Sequence, residues 1–268
     1  MFCLRPYASS IALSILILLS GAIRAQDLVI RNARVFDGAS ADLSASQDIL
    51  VRNGVISEIG PNLPVAEMTK EIDAEDRIVM PGLINSHAHI MMQMPIGQAL
   101  TTDAFYWAYV ATKAAKTMLD SGFTTIRDMS GNTFSLKQAI DRGVVAGPRI
   151  YPSGAMISQT SGHADHRTAA DISRTLDPDS RSHFEELGMT AVADGRPEVL
   201  MAARENLRRG ATQIKIAVGG GVSSHADPLD VTQFTDDEVR AAVEAAADWG
   251  TYVAAYVYNS KGIRRAVS

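Results

Sequence analysis

Cysteine is almost missing from this sequence: Cys3 is the only one among 268 residues. A disulfide framework is therefore excluded. No block of basic residues stands out either, and 25 Lys and Arg are outweighed by 30 Asp and Glu, for a net charge of −5. That balance excludes a broad nucleic-acid-binding face. No apolar run reaches the roughly 20 residues of a membrane span, so no stable span is expected. No histidine follows His225. What is present is ordinary globular composition, 46% hydrophobic and 21% charged, with 20 Gly and 10 Pro. Collagen-like, low-complexity and mainly disordered chains are excluded, and the length suits one or two domains with a sizeable core.

The first 25 residues differ in texture from the rest. Arg5 precedes an apolar stretch from Ile11 to Ile23, and no acidic residue appears before Asp27. This is the pattern of a short export signal, with Ala25 as the last residue before cleavage. Cleavage there would also remove Cys3, and an exported (periplasmic or extracellular) protein is expected. An uncleaved N-terminal anchor is the alternative, since Arg24 follows the run.

Residues 26–77 read as a β segment. DLVIRNARVFDG and DILVRNGVISEIG carry alternating Val and Ile, and Asn53-Gly54 marks a tight two-residue hairpin turn. KEIDAEDRIVM resumes the extended pattern, and the whole segment predicts a small antiparallel sheet. From residue 78 onward strands and helices alternate. RIVMPGLIN, TTIRD, RIYPSG, TQIKIAV and TYVAAYV are five strand candidates. Helices are expected near 103–121, 134–142, 197–209 and 235–250, and SKGIRRAVS begins another. A long polar loop is expected over 155–196. Thr235 and Glu238 form a capping-box pattern, flanked by Phe234 and Val239. This rhythm points to parallel βα units. A closed (β/α)8 barrel needs about 250 residues, so the reading is either an open α/β sheet or an incomplete barrel.

His87-Ala88-His89 follows the first of these strands. Residues two apart on a strand share a face, with Cα atoms roughly 6.6 Å apart. Two imidazoles so placed can converge on one metal ion. The spacing alone equally suits two loop histidines making ordinary hydrogen bonds. In TQIKIAV, Ile214, Ile216 and Val218 alternate with Gln213, Lys215 and Ala217, which sets Lys215 opposite the aliphatic row. A strand-end lysine reaching solvent is the plainer reading of that pattern. Met91, Met92 and Met94 suit packing better than ligation. His166, His183 and His225 lie in polar segments and receive no role.

VMPGLINSHAHI, behind a small N-terminal β segment, resembles the opening of the metal-dependent amidohydrolase superfamily. RDMSG, ISQTSGHAD and GATQIKIAVGGG follow in family order, and together they resemble the branch of Xaa-Pro dipeptidases and imidazolonepropionase-related amidohydrolases. The resemblance implies a (β/α)8 TIM-type barrel beside a small β-sandwich, and two divalent metals, usually zinc. It implies that His87 and His89 are metal ligands and that Lys215 is a carboxylated, bridging lysine. It implies a substrate contact for His163, and a small-molecule or dipeptide-like substrate cleaved at a C–N bond. Oligomeric state is left open.

The same resemblance implies a histidine on the fifth strand, where this sequence has Tyr256. A phenol is a poor replacement for imidazole. It also implies a sixth-strand histidine and an eighth-strand aspartate, neither of which is found. The chain is thus expected to be a C-terminally truncated barrel of about five βα units over 78–268, with unpaired edge strands and a marginal or partner-dependent fold. Two readings follow: an exported amidohydrolase, incomplete as this chain, or an inactive remnant that binds at most one metal. An unrelated open-sheet binding protein would explain five strands but not the ordered motifs.

Overall fold

A computed structural model describes residues 26–222 and 227–268. The predicted export signal lies outside the described residues. The chain divides into two compact units, the first ending at Pro81 and the second running from Gly82 to Ser268.

The first unit is a five-stranded sheet of β1 (Leu28–Val35), β2 (Ser46–Arg52), β3 (Val55–Gly60), β4 (Lys70–Asp73) and β5 (Ile78–Val79). Arg52 pairs with Val55 across the β2–β3 turn, and Asn53 and Gly54 both take positive φ, 51° and 76°. This is the type I′ hairpin that the dipeptide predicts. The expectation of a purely antiparallel sheet is corrected, because β4 and β5 both pair with β1 in parallel. After β3 the chain crosses over through 61–69, past Pro61 and Pro64, and returns in β1's own direction.

The RIVMPGLIN run is not one strand. Ile78 and Val79 pair with β1, and β6 (Leu83–Ala88) begins only after Pro81. Proline has no N–H to give a ladder, which makes it a natural break.

In the second unit all strand pairs of the named sheets are parallel. β6 pairs with β7 (Phe123–Asp128), and β7 with β8 (Arg149–Pro152). β9 (Met156–Ser158) pairs with β11 (Ile214–Ala217), which pairs with β12 (Val253–Tyr256). β8 and β9 are two halves of one bent strand, so the five predicted barrel strands are present in order. Gly154 makes the bend, with φ +72°. A Cβ there would lie 2.4 Å from Oδ1 of Asn206, so the position needs glycine for space as well as conformation. Asn206 fills the gap that the bend opens in the ladder. Its Oδ1 accepts from the Ala155 N–H at 3.1 Å and its Nδ2 donates to the Ala155 carbonyl at 2.9 Å. The 155–196 segment is therefore not simply a loop. Besides β9 it holds α4 (His183–Glu186) and β10 (Thr190–Val192), which pairs with β9.

These strands form two sheets, β6-β7-β8 and β10-β9-β11-β12, and helices pack against each. After the single turn α1 (Ile96–Ala99), α2 (Ala104–Asp120) is capped by Asp103, whose side chain accepts from the Tyr106 N–H, and buries Trp107, Ala111 and Ala115. These lie four residues apart on one stripe, and they pack with Ile126 and Ile150. α3 (Phe134–Asp141) follows β7. α5 (Arg196–Arg208) and α6 (Asp236–Asp248) place Val199, Ala203, Val239 and Ala242 against Ile214 and Ile216. Thr235 and Glu238 form the predicted capping box, and Phe234 and Val239 share the same core cluster. Met91 is buried in the core beside Trp107, with Met92 and Met94 packed against it. The result is a partial (β/α)8-type barrel. Its aliphatic faces look toward the helices, which leaves the other face for polar side chains.

Candidate active site

β6 and β11 belong to two different sheets of this unit, yet His87 on β6, His89 just after it and Lys215 on β11 come close enough for Lys215 to act on both imidazoles. The Nε2 atoms of His87 and His89 are 3.1 Å apart, with ring centroids at 5.0 Å. Two nitrogens bound to one tetrahedral zinc at 2.0–2.1 Å would stand roughly 3.3 Å apart. The observed pair fits that spacing. Nδ1 of His89 is buried without a hydrogen-bond partner. Burial, the neighbouring His87, and the charges of Lys215 and His163 push the His89 pKa down to about 4. Burial, Lys215 and Arg127 also lower that of His87. Both rings are neutral at pH 7, the form that binds metal. The donor set fits one zinc-like ion held by two imidazoles.

Lys215 lies on the face opposite the aliphatic row, as the alternation on β11 predicts. It is 3% exposed, while Ile214 and Ile216 on either side face the helices. Burial first, then the Arg127 guanidinium, lower its pKa to about 8. At pH 7 roughly a tenth of the amine is then unprotonated and nucleophilic. Arg127 sits on β7, donates to the Ser86 carbonyl at 2.6 Å and reaches the Tyr252 hydroxyl at 3.0 Å.

Tyr256 pairs in register with Ala217 and stands beside Lys215, whose Nζ is 5.4 Å from the phenol ring centroid. Burial and the hydrogen bond with Tyr258 raise the Tyr256 pKa, so the hydroxyl stays neutral. Its ring stacks on that of His163 at 4.1 Å and 11°. The five residues singled out in the sequence thus gather at one site. Among the described residues no group of three His, Cys, Asp or Glu side chains could hold a metal. The set is two histidines and a lysine.

Two acidic residues of this region carry no role in the sequence reading. Asp128, in the RDMSG run at the end of β7, is fully buried, and its Oδ1 accepts from the Ile90 N–H at 2.8 Å. Asp227 accepts from Nδ1 of His163 at 3.0 Å. Asp128 could have been suspected from its place at a barrel strand's C-terminal end. Asp227 had no such signal. Of the remaining histidines, His183 lies within hydrogen-bond distance of the Thr102 carbonyl at 2.8 Å, and the His166 ring packs on Phe184. His225 lies outside the described residues.

Known proteins resemble this chain in fold and sequence. A prolidase solved with N-methylphosphonate-L-proline superposes with a TM-score of 0.80 at 35% identity, over 90% of this chain and 59% of that one. A Xaa-Pro dipeptidase with bound methionine gives 0.75 at 34% identity, with the same coverage. Ochratoxinase of Aspergillus niger is 33% identical over 199 residues, which is 71% of this chain and 41% of the relative. The chain therefore spans less than half the length of that curated relative. Residues 78–268 match the amidohydrolase family, and the chain belongs to that family of hydrolases acting on carbon–nitrogen bonds.

Proposed function

We propose that the protein hydrolyses the C–N bond of a dipeptide-like or cyclic amide, with His87 and His89 holding a divalent metal, zinc by preference. The convergence of their Nε2 atoms to 3.1 Å carries this reading. Bound zinc would acidify a water molecule and polarise the substrate carbonyl. The chain's own residues do the rest. His87 and His89 present neutral nitrogens, and Arg127 and burial keep part of the Lys215 amine unprotonated. That amine can add to carbon dioxide: a C–N bond forms, an amine proton leaves to solvent, and an anionic carbamate replaces a cation. His163 lines the same site as a substrate contact. The likeness to a prolidase and a Xaa-Pro dipeptidase supports an N-acyl amino acid or Xaa-Pro dipeptide as the substrate class.

A second reading concerns the 268 residues by themselves. Tyr256 stands where the family resemblance implies an imidazole, and its raised pKa keeps it a neutral phenol. With two histidines and a lysine, one metal is held and a second is not. Zinc per chain, measured after dialysis, separates the readings. The second reading expects at most one zinc, falling to none in His87→Ala/His89→Ala, with no dipeptide hydrolysis above background. Two zinc ions together with hydrolysis lost in His87→Ala would show that this chain is a complete enzyme. Retention of zinc in the double variant would overturn the ligand assignment itself. We also place the protein outside the cytoplasm, on the export-signal pattern of residues 1–25. N-terminal sequencing of secreted material should begin at or near Gln26. A protein that still starts at Met1 and pellets with membranes would contradict this.

A further inference from the structure

We infer that Asp227 is a positioning residue for His163, holding its imidazole in the Nδ1–H tautomer so that Nε2 is the nitrogen presented to substrate.

His163 belongs to the segment after β9, and Asp227 to the segment between β11 and α6. Oδ2 of Asp227 lies 3.0 Å from Nδ1 of His163, and the two side chains are 0% and 8% exposed. A carboxylate can only accept, so the proton of this bond sits on Nδ1. Gln233 fixes both partners. Its Oε1 accepts the His163 backbone N–H at 3.0 Å, and its Nε2 points at the same Asp227 Oδ2 from 3.5 Å. The amide is thereby oriented, with oxygen toward the histidine and nitrogen toward the carboxylate. The stacked Tyr256 ring covers one face of the imidazole. Gly221 closes on its edge: a Cβ there would lie 2.2 Å from Cε1 of His163 and 2.6 Å from the Tyr256 hydroxyl. Gly220 is as tight, since its Cβ would fall 1.9 Å from the Pro228 carbonyl oxygen. The glycine run after β11 thus allows that segment to come close enough to grip a histidine from the segment after β9.

A buried carboxylate that fixes an imidazole tautomer is a general device for aiming the other ring nitrogen. The role in substrate contact rests on the hydrolase reading above, but the tautomer does not. Long-range 1H–15N spectra of the full chain resolve it, with the His163 signal assigned by its loss in His163→Gln. A single Nδ1–H tautomer is expected in the parent protein. Asp227→Asn should keep it. Oδ2 receives both the His163 and Gln233 donors, whereas Oδ1 is buried without a partner, so the amide nitrogen takes the Oδ1 place. Asp227→Ala should give a mixture of tautomers or the Nε2–H form, with unchanged circular dichroism. An Nε2–H tautomer in the parent protein would overturn the inference, and so would an unchanged spectrum in folded Asp227→Ala. The parent spectrum decides even where Asp227→Ala does not fold. Zinc content and turnover test the hydrolase reading separately, because neither is needed to read the tautomer.

Discussion

Asp128→Ala should destabilise the chain by about 3–5 kcal/mol at pH 7, read from the shift of the urea midpoint. The carboxyl group is fully buried. Oδ1 accepts from the Ile90 N–H at 2.8 Å and Oδ2 from the Thr133 hydroxyl at 3.2 Å. Truncation would leave two buried donors unpaired, at about 1–3 kcal/mol each, and add a cavity. Ile90 directly follows His89, so the same loss would loosen the segment that sets the two imidazoles. Asp128→Asn keeps the shape and an acceptor, and should cost far less.

A pH signature separates Asp128→Asn from the parent protein. Burial pushes the Asp128 pKa up to about 8, against an ordinary value of 3.8. Between those values the folded chain holds a proton that the unfolded chain has released. Its contribution is therefore full below about pH 4 and is lost as pH rises through about 8. Asp128→Asn cannot ionise and should flatten that decline. Urea midpoints at pH 5, 7 and 9 measure the difference, and equal slopes in both proteins would refute the shifted carboxyl.

Much of this architecture is written locally. The Asn53-Gly54 turn, the Thr235–Glu238 box and the paired spacing of His87 and His89 each depend on residues within four positions of one another. Lys215 could be placed opposite the aliphatic row because a strand alternates with period two. The bend in the third barrel strand was hidden, because it depends on Asn206, 51 residues after Ala155. That bend turned a predicted loop into the beginning of β9. The parallel pairing of β4 and β5 was hidden for a similar reason: alternation specifies a strand but not the direction of its neighbour. Asp227 is the sharpest case. It lies 64 residues from His163, and nothing near it in sequence distinguishes it from other loop aspartates.

Lys215→Met should make the metal-free chain more stable at pH 7, by about 2–3 kcal/mol. Lys215 is 3% exposed, and the cation nearest in effect is Arg127, of like charge. Its pKa falls from 10.5 to about 8, and each unit corresponds to about 1.4 kcal/mol of penalty on the charged form. Below about pH 8 both folded and unfolded chains carry the proton, and the penalty is fully present. As pH rises from about 8 toward 10.5 the folded lysine releases its proton first, so the parent protein gains stability relative to the unfolded chain. The advantage of Lys215→Met should therefore shrink steadily over that window. Methionine fills a similar volume with no charge to desolvate, and exchanging a buried ion for an apolar side chain is often stabilising. Urea midpoints of the EDTA-treated proteins at pH 7 and pH 10 test this. Equal or lower stability of Lys215→Met at pH 7 would mean that the ammonium is well accommodated where it stands. The expected gain has a functional meaning. A cation kept on the inner face at a cost in stability, beside two neutral imidazoles and a second cation, is a group suited to becoming something else. Carbon dioxide capture would convert it to an anion, reversing its interaction with Arg127 from repulsive to attractive.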